Sequence, residues 1–548
     1  MPDSKRPATA SVGPASLTGD MDPEEFRKFG HQVVDWITTY LAHPERYPVL
    51  SQVKPGDIRN GLPQSAPAVG EDMASILADL DRFVTPGLTH WNHPAFFAYF
   101  AVSGSAPGIL GEMLSAAFNV NAMMWRTSPA ATELEEVTLN WMRQLIGLPD
   151  SFDGVIYDTA SISSLCAIAA AREAVTELNS REDGMSANPA SGIQAVRLRL
   201  YASEQAHSSI DKAAITLGLG QAGLRKISTD DQFRMDPAAL ARAIREDRAA
   251  GWRPFCVVAT TGTTSTTSID PVPEIASISE SEGLWLHVDG AYGGSAAVAP
   301  EFRWVLDGAD RADSVVVNPH KWLFVPVDLS TLFCRRMDVL KRAFSLVPEY
   351  LRAAGADQVH NYMDYGPQLG RRFRALKLWF VLRYFGAEGL AARIREHIAL
   401  ARGFADWVDQ SPNFERMAPA PLSTVCFRAF PEDLRSAIAA PRPTFAVSTP
   451  SETNEVAGPS QDGSGLTVLQ VESYLDQLNE RLLEEINRAG RVFLSHTKLS
   501  GKLTLRLAIG NIRTTGEHIL LAREELQLAL AKLDPALRST HLSHFNNE

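Results

Sequence analysis

Between about residues 105 and 380 the chain alternates helical patterns such as ATELEEVTLNWMRQLIGL with short runs that stay apolar at nearly every position: FCVVAT, LWLHVD, SVVVN and LSTLFC. A strand with one wet face alternates apolar and polar side chains, because successive side chains point to opposite faces. These runs do not alternate, so both of their faces must be covered. The arrangement that covers both is a mostly parallel sheet between two layers of helices, built from repeated βα units. In such α/β sheets ligands gather at the carboxyl ends of the strands, which directs attention to the residues just after each run.

The rest of the chain divides around this block. Residues 1–20 are rich in Pro, Ser, Ala and Gly and read as a flexible arm. Residues 21–104 read as an N-terminal helical segment: Asp22-Pro23 supplies a cap and a first-turn proline, and Phe26, Phe29, Val33, Trp36, Ile37 and Tyr40 recur at helical spacing. That wide apolar face needs a partner. Residues 105–380 form the large domain, and 381–548 a small α+β C-terminal domain. Within the latter, about 431–465 is an exposed insertion rich in Pro, Ser and Gly.

Bulk properties exclude several classes. A formal net charge of -12 disfavours nucleic acid and anionic membrane as partners and suits a small-molecule substrate. No run reaches the roughly 18 apolar residues of a membrane span, and the N-terminus has no signal-peptide core, which places the chain in the cytoplasm. Cys166, Cys256, Cys334 and Cys426 stand far apart in mostly apolar surroundings and read as reduced, buried thiols, with no metal site implied.

Chemistry is concentrated at the ends of the apolar runs. Lys321 in VVVNPHKWLFVPVDL stands between two runs that a folded chain buries. Burial disfavours its ammonium form and leaves an amine able to attack an aldehyde and form an imine, whereas a lysine at a strand end can also snorkel to water. Asp289 closes LWLHVD ahead of GAYGG; an acid there can pair with a protonated ring nitrogen such as that of pyridoxal phosphate (PLP), or simply cap a turn. In GVIYDTASISSLCAIAAARE a helix opens near Ser161, where free N–H groups favour an anion and the Thr159 and Ser161 hydroxyls add donors, though such residues also serve as plain caps. His207 in AHSS and Thr264 in GTT precede turns, as ring contacts or as structural residues.

In their order along the chain (the hydroxyl-rich loop, AHSS, GTT, HVDGAYGG, NPHKW) these motifs resemble the group II PLP-dependent decarboxylases, in particular the aromatic L-amino acid decarboxylases. The likeness runs from about residue 22 to 530. It implies the fold type I architecture of PLP enzymes and a homodimer with shared active sites, the N-terminal helices packing on the partner. It further implies that Lys321 carries PLP as a Schiff base, Asp289 pairs with the pyridine nitrogen and His207 stacks on the ring. Ala160 and Ser161 would cradle the phosphate with Asn318 and His320, and Thr264 and Ala291 would contact the ring.

Tyr350, in AFSLVPEYLRAAGADQVHNYMDYG, matches the mobile-loop tyrosine that protonates the carbanion left after carbon dioxide departs. Related aldehyde synthases carry phenylalanine there. Trp91, Tyr99 and Phe100 in LTHWNHPAFFAYFAVSGSAP match the family's substrate-pocket segment, and Met123 lies in a segment contributed by the partner subunit. Two positions depart from the family pattern: Ala101 stands where proline is common, and Met123 where an aromatic is. The resulting expectation is decarboxylation of Trp, Tyr, Phe or Dopa to the amine. Its rivals are oxidative decarboxylation to an aldehyde, another substrate (His, Glu or phenylserine), and a catalytically silent scaffold of the same fold.

Overall fold

The structure is a computed structural model that describes residues 19–176, 178, 180–185, 196–346, 359–438 and 467–541. Tyr350 and residues 439–465 of the expected insertion lie outside the described residues, as do 1–18 of the arm.

The apolar runs form one seven-stranded sheet: β1 (Asp153–Tyr157), β2 (Leu198–Ser203), β3 (Leu224–Ile227), β4 (Arg253–Thr260), β5 (Trp285–Asp289), β6 (Ser314–Val317) and β7 (Ser330–Cys334). Their spatial order is β1-β7-β6-β5-β4-β2-β3. Strands β2 to β6 pair in parallel. LSTLFC is the exception, since β7 runs antiparallel to both β1 and β6. Burial on both faces is what produces an unbroken apolar run, and it is independent of strand direction. All five residues of β7 are buried, as are those of β5.

A second sheet follows, antiparallel throughout, with β8 (Phe414–Arg416), β9 (Thr424–Ala429), β10 (Ser495–Leu499) and β11 (Lys502–Ala508) in the order β10-β11-β9-β8. It has its own apolar core. Val49, Ala95, Phe96, Phe97, Ala98 and Ala101 belong to that core, and Phe96 bridges Phe493. The N-terminal segment is therefore built into the C-terminal unit. Helix Ala375–Gln410 links the two cores: Leu378 and Val381 sit in the first, Phe404 and Val408 in the second, and between them Gly386 breaks the helix at φ 62°. Within the expected insertion, Glu432–Ala437 is a short helix that packs one face, with Leu434 and Arg435 buried, while Glu432, Asp433 and Ser436 stay exposed.

Helix Pro23–Ala42 starts where the sequence predicts. The Asp22 carboxylate accepts from the Glu24 N–H at 2.9 Å, and Pro23 occupies the first turn. Of its residues only Phe29 is buried, while Phe26 is 69% exposed. No helix among the described residues is long and apolar enough to cross a membrane.

Candidate active site

The carboxyl ends of β1, β2, β4, β5 and β6 meet at one edge of the large sheet, and the chain that leaves them surrounds a cavity of about 210 Å³. Its walls include Ala160, Ser161, His207, Thr264, Asp289, Ala291, Asn318, His320 and Lys321, every cofactor-contact residue expected from the sequence, together with Phe100. Trp91 and Tyr99 do not line it. They stack on each other at 5.8 Å beside Phe96 and Phe493, with Tyr99 54% exposed. Met123 also lies elsewhere, in the turn held by a Met363 N–H to Met123 carbonyl bond. Within one chain the structure brings Phe100 alone of the substrate-pocket set to the cavity.

Each wall residue is held by its element. Lys321 sits in the one-turn helix Pro319–Trp322, its N–H bonded to the Asn318 carbonyl at 2.9 Å. Its Nζ lies 5.5 Å from the centre of the Phe100 ring, and burial lowers its pKa while Asp289 opposes that shift. It makes no ion pair among the described residues, so nothing ties the amine down. Asp289 ends β5, and its Oδ1 accepts from the Ala291 N–H at 3.1 Å.

Three histidines near this edge are kept neutral by burial. His320 is pushed down to about 4, first by burial and then by Lys321, and its Nδ1 accepts from the Leu329 N–H at 2.9 Å. His207 is lowered too, again by burial first and Lys321 second. Its Nδ1 accepts from the Ser209 N–H at 3.1 Å, which leaves the ring proton on Nε2. Behind the cavity His287 bridges Ser314 and Ser164 and is pushed down to about 4 by burial.

Residues 55–430 match the pyridoxal-dependent decarboxylase conserved domain. The chain belongs to that family. It is a PLP-dependent amino acid decarboxylase. Among its relatives, tyrosine/DOPA decarboxylase 2 of Papaver somniferum is 37% identical, with 95% of this chain and 96% of the relative covered. A phenylacetaldehyde synthase of Petunia hybrida is 40% identical over 92% and 94%. The crystal structure of Oryza sativa TDC with PLP and tryptamine superposes with a TM-score of 0.84 at 34% identity, covering 94% of this chain and 99% of that one.

The decarboxylase cavity fits PLP on its own chemistry. Helix Ala160–Glu173 opens with no side-chain cap, and the N–H groups of Ala160 and Ser161 have no acceptor among the described residues. Two free donors at a helix start suit a phosphate. The Thr159 hydroxyl is not a third, because it donates to Asp158 at 3.0 Å.

Asn318 supplies a further donor. Its Oδ1 is buried without a partner while its Nδ2 lies 3.4 Å from His320 Nε2, which must itself carry a proton because Nδ1 is an acceptor. Turning the amide over gives Oδ1 the His320 proton and frees Nδ2 as a donor. The buried Asp289 carboxylate and the untied Lys321 amine complete the set, an anion for a ring nitrogen and a nucleophile for an aldehyde.

Other contributors to the site are invisible in sequence. Phe100, Tyr292 and Trp322 form a continuous stack, with 3.8 Å and 4.7 Å between ring centres, and the Trp322 Nε1–H donates to His397 at 2.9 Å. Arg506 reaches across from β11, donates to the Thr264 and Ser265 carbonyls at 2.7 Å each, and lies 5.4 Å from the Phe100 ring centre. It ties the GTT turn to the second sheet. Gly262 in that turn has φ 97°, and a Cβ there would sit 2.8 Å from the Gly293 nitrogen, so the approach of the two loops demands glycine.

Proposed function

We propose that this decarboxylase acts on an aromatic L-amino acid and releases the corresponding amine and carbon dioxide without oxidation. The observation that carries the reading is Phe100, an aromatic wall 5.5 Å from the Lys321 amine in the cavity that fits PLP. A flat apolar substrate side chain packs against such a ring. The names of the Papaver and Oryza proteins point the same way.

When bound, PLP supplies an electron sink for the charge left as the carboxylate departs. The chain's residues do the rest. Lys321, whose ammonium form burial disfavours, would hold the cofactor through its aldehyde. Asp289 would keep a positive charge on the ring nitrogen, and the neutral His207 would stack on the ring. Tyr350 gives its phenolic proton to the substrate α-carbon, so that carbon dioxide is replaced by hydrogen. By resemblance to the family, the loop AFSLVPEYLRAAGADQVHNYMDYG that carries Tyr350 would exclude water and oxygen from the reaction. The site is shared in a homodimer, where Trp91, Tyr99 and Met123 come to flank the substrate.

The Petunia relative keeps a second reading in play, oxidative decarboxylation to an aldehyde. One panel decides: Trp, Tyr, Phe, Dopa, His and Glu, with amine, aldehyde and hydrogen peroxide measured. Amine from the aromatic members alone is expected, and Tyr350→Phe should shift the output toward aldehyde and peroxide. Aldehyde from the unaltered enzyme overturns the non-oxidative reading, and preference for His or Glu overturns the aromatic one.

A further inference from the structure

A second cavity, of about 290 Å³, opens at the opposite edge of the large sheet, under the amino ends of β4 and β5 and the carboxyl end of β7. It shares no wall residue with the active site; strand β5, about 13 Å long, separates its floor at Trp285 from Asp289. The floor is apolar, with Val175, Phe255 and Leu284 among its residues. The rim is cationic. Arg311, Arg335 and Arg336 face two acids, Glu280 and Asp313.

These charges are not evenly matched. Arg311 and Glu280 neutralise each other in a two-bond pair at 3.0 and 2.5 Å. Arg335 donates to the Arg311 carbonyl at 2.9 Å, and Arg336 lies 5.3 Å from the Trp285 ring centre. Neither makes an ion pair among the described residues. Asp313 is engaged by the Leu286 N–H at 2.9 Å, and burial holds its carboxyl above the usual range. In a chain of net charge -12, this is a local excess of positive charge over an apolar floor.

A polar group in the wall adds a separate sign of a missing partner. Ser279, on helix Val272–Glu282, is 2% exposed, and its hydroxyl has no hydrogen-bond partner although most buried hydroxyls have one. Guanidiniums with open donors, an unsatisfied hydroxyl and an apolar floor together describe an acceptor-rich head on an apolar body.

We propose that this cavity binds a small organic anion, a carboxylate on an apolar ring or chain, with the head between Arg335 and Arg336 and the body over Val175, Phe255 and Leu284. The site is separate from the decarboxylation site and does not depend on which amino acid is consumed there.

Calorimetric titration of the PLP-loaded enzyme with benzoate, and with neutral benzamide as its counterpart, tests this. Benzoate should bind once per chain, and benzamide at least tenfold more weakly. The Arg335→Ala/Arg336→Ala double variant should weaken benzoate at least tenfold, and Ala276→Leu, which fills the floor, should remove binding. Both variants should keep the visible absorbance of bound PLP and the decarboxylation rate. The arginine pair is exposed, so its replacement tests the site even if Ala276→Leu fails to fold. No heat with benzoate, equal binding of benzamide, or binding that survives the arginine variant overturns the proposal.

Discussion

On the proposed reading, Lys321 and Asp289 divide the work of the site in a way that two substitutions separate. Lys321→Ala should abolish the visible band of the protein-bound imine along with turnover. Asp289→Asn keeps the shape but removes the negative charge, and should leave a coloured protein whose kcat is lower by on the order of 100-fold, the scale of losing one preorganised electrostatic partner. An Asp289→Asn enzyme of normal kcat would contradict the pairing. The structure sets both residues on the wall of one cavity, and both were singled out in the sequence as charged groups in apolar runs. Arg506 and Tyr292 were not, since their meaning lies in contacts with residues far away in the chain: Arg506 with Thr264, and Tyr292 with Phe100 on one side and the Ser423 hydroxyl on the other. Thr159 was misread for a local reason, its hydroxyl being taken by Asp158 next door.

Among the elements, helix Ala106–Phe118 decides how closely the large domain is wrapped. It lies against helix Ala375–Gln410, and a Cβ on Gly111 would stand 2.7 Å from the Lys377 Cα. Backbone cannot give way as a side-chain tip does, so Gly111→Ala should destabilise the protein by about 1–3 kcal/mol, read as a lower urea midpoint with the slope unchanged. The same contact buries Lys377, whose Nζ pairs with Glu112 at 2.9 Å. Periodicity and flanking turn residues located strands β4 to β7 and helix Pro129–Ile146 because they report burial. They could not report direction, and β7 is the case where that matters. Placing β7 antiparallel between β1 and β6 puts Ser330, its first residue, at the active-site edge, where its hydroxyl meets that of Ser163 at 2.7 Å.

At the scale of the whole molecule, buried histidines set the acid limit. His93, His287, His320 and His397 are all pushed down to about 4 by burial. Each therefore binds its proton more readily unfolded, near 6.5, than folded, so stability contributed at neutral pH is lost as pH falls from about 6.5 toward 4. Asp270, raised to about 7 by burial, and Glu136 and Asp313, also raised by burial, act in the opposite sense, but they are three groups against seven once His90, His207 and His518, lowered by the same cause, are counted. Unfolding of the cofactor-free protein should occur at lower temperature at pH 5 than at pH 7, and an unchanged Tm would refute this. The exposed apolar face of helix Pro23–Ala42 belongs to the same scale. Sedimentation should give twice the chain mass, and Phe26→Glu with Val34→Glu should shift the protein toward monomer; a native monomer that is fully active would remove the shared-site reading.

The second core also constrains how the protein is made. Tyr99 takes its backbone partner from Ser495, and Thr514 bonds back to the Pro94 carbonyl, spans of 396 and 420 residues. At ribosomal speeds of roughly 5–20 residues per second, the segment holding Ala95 to Ala101 waits roughly 20–80 s for those partners to emerge. During that interval Phe96 and Phe97 have no completed core to enter. The nascent chain thus carries this apolar stretch unsheltered until residues as far as Thr514 have been made, which makes it a natural client for a holding chaperone.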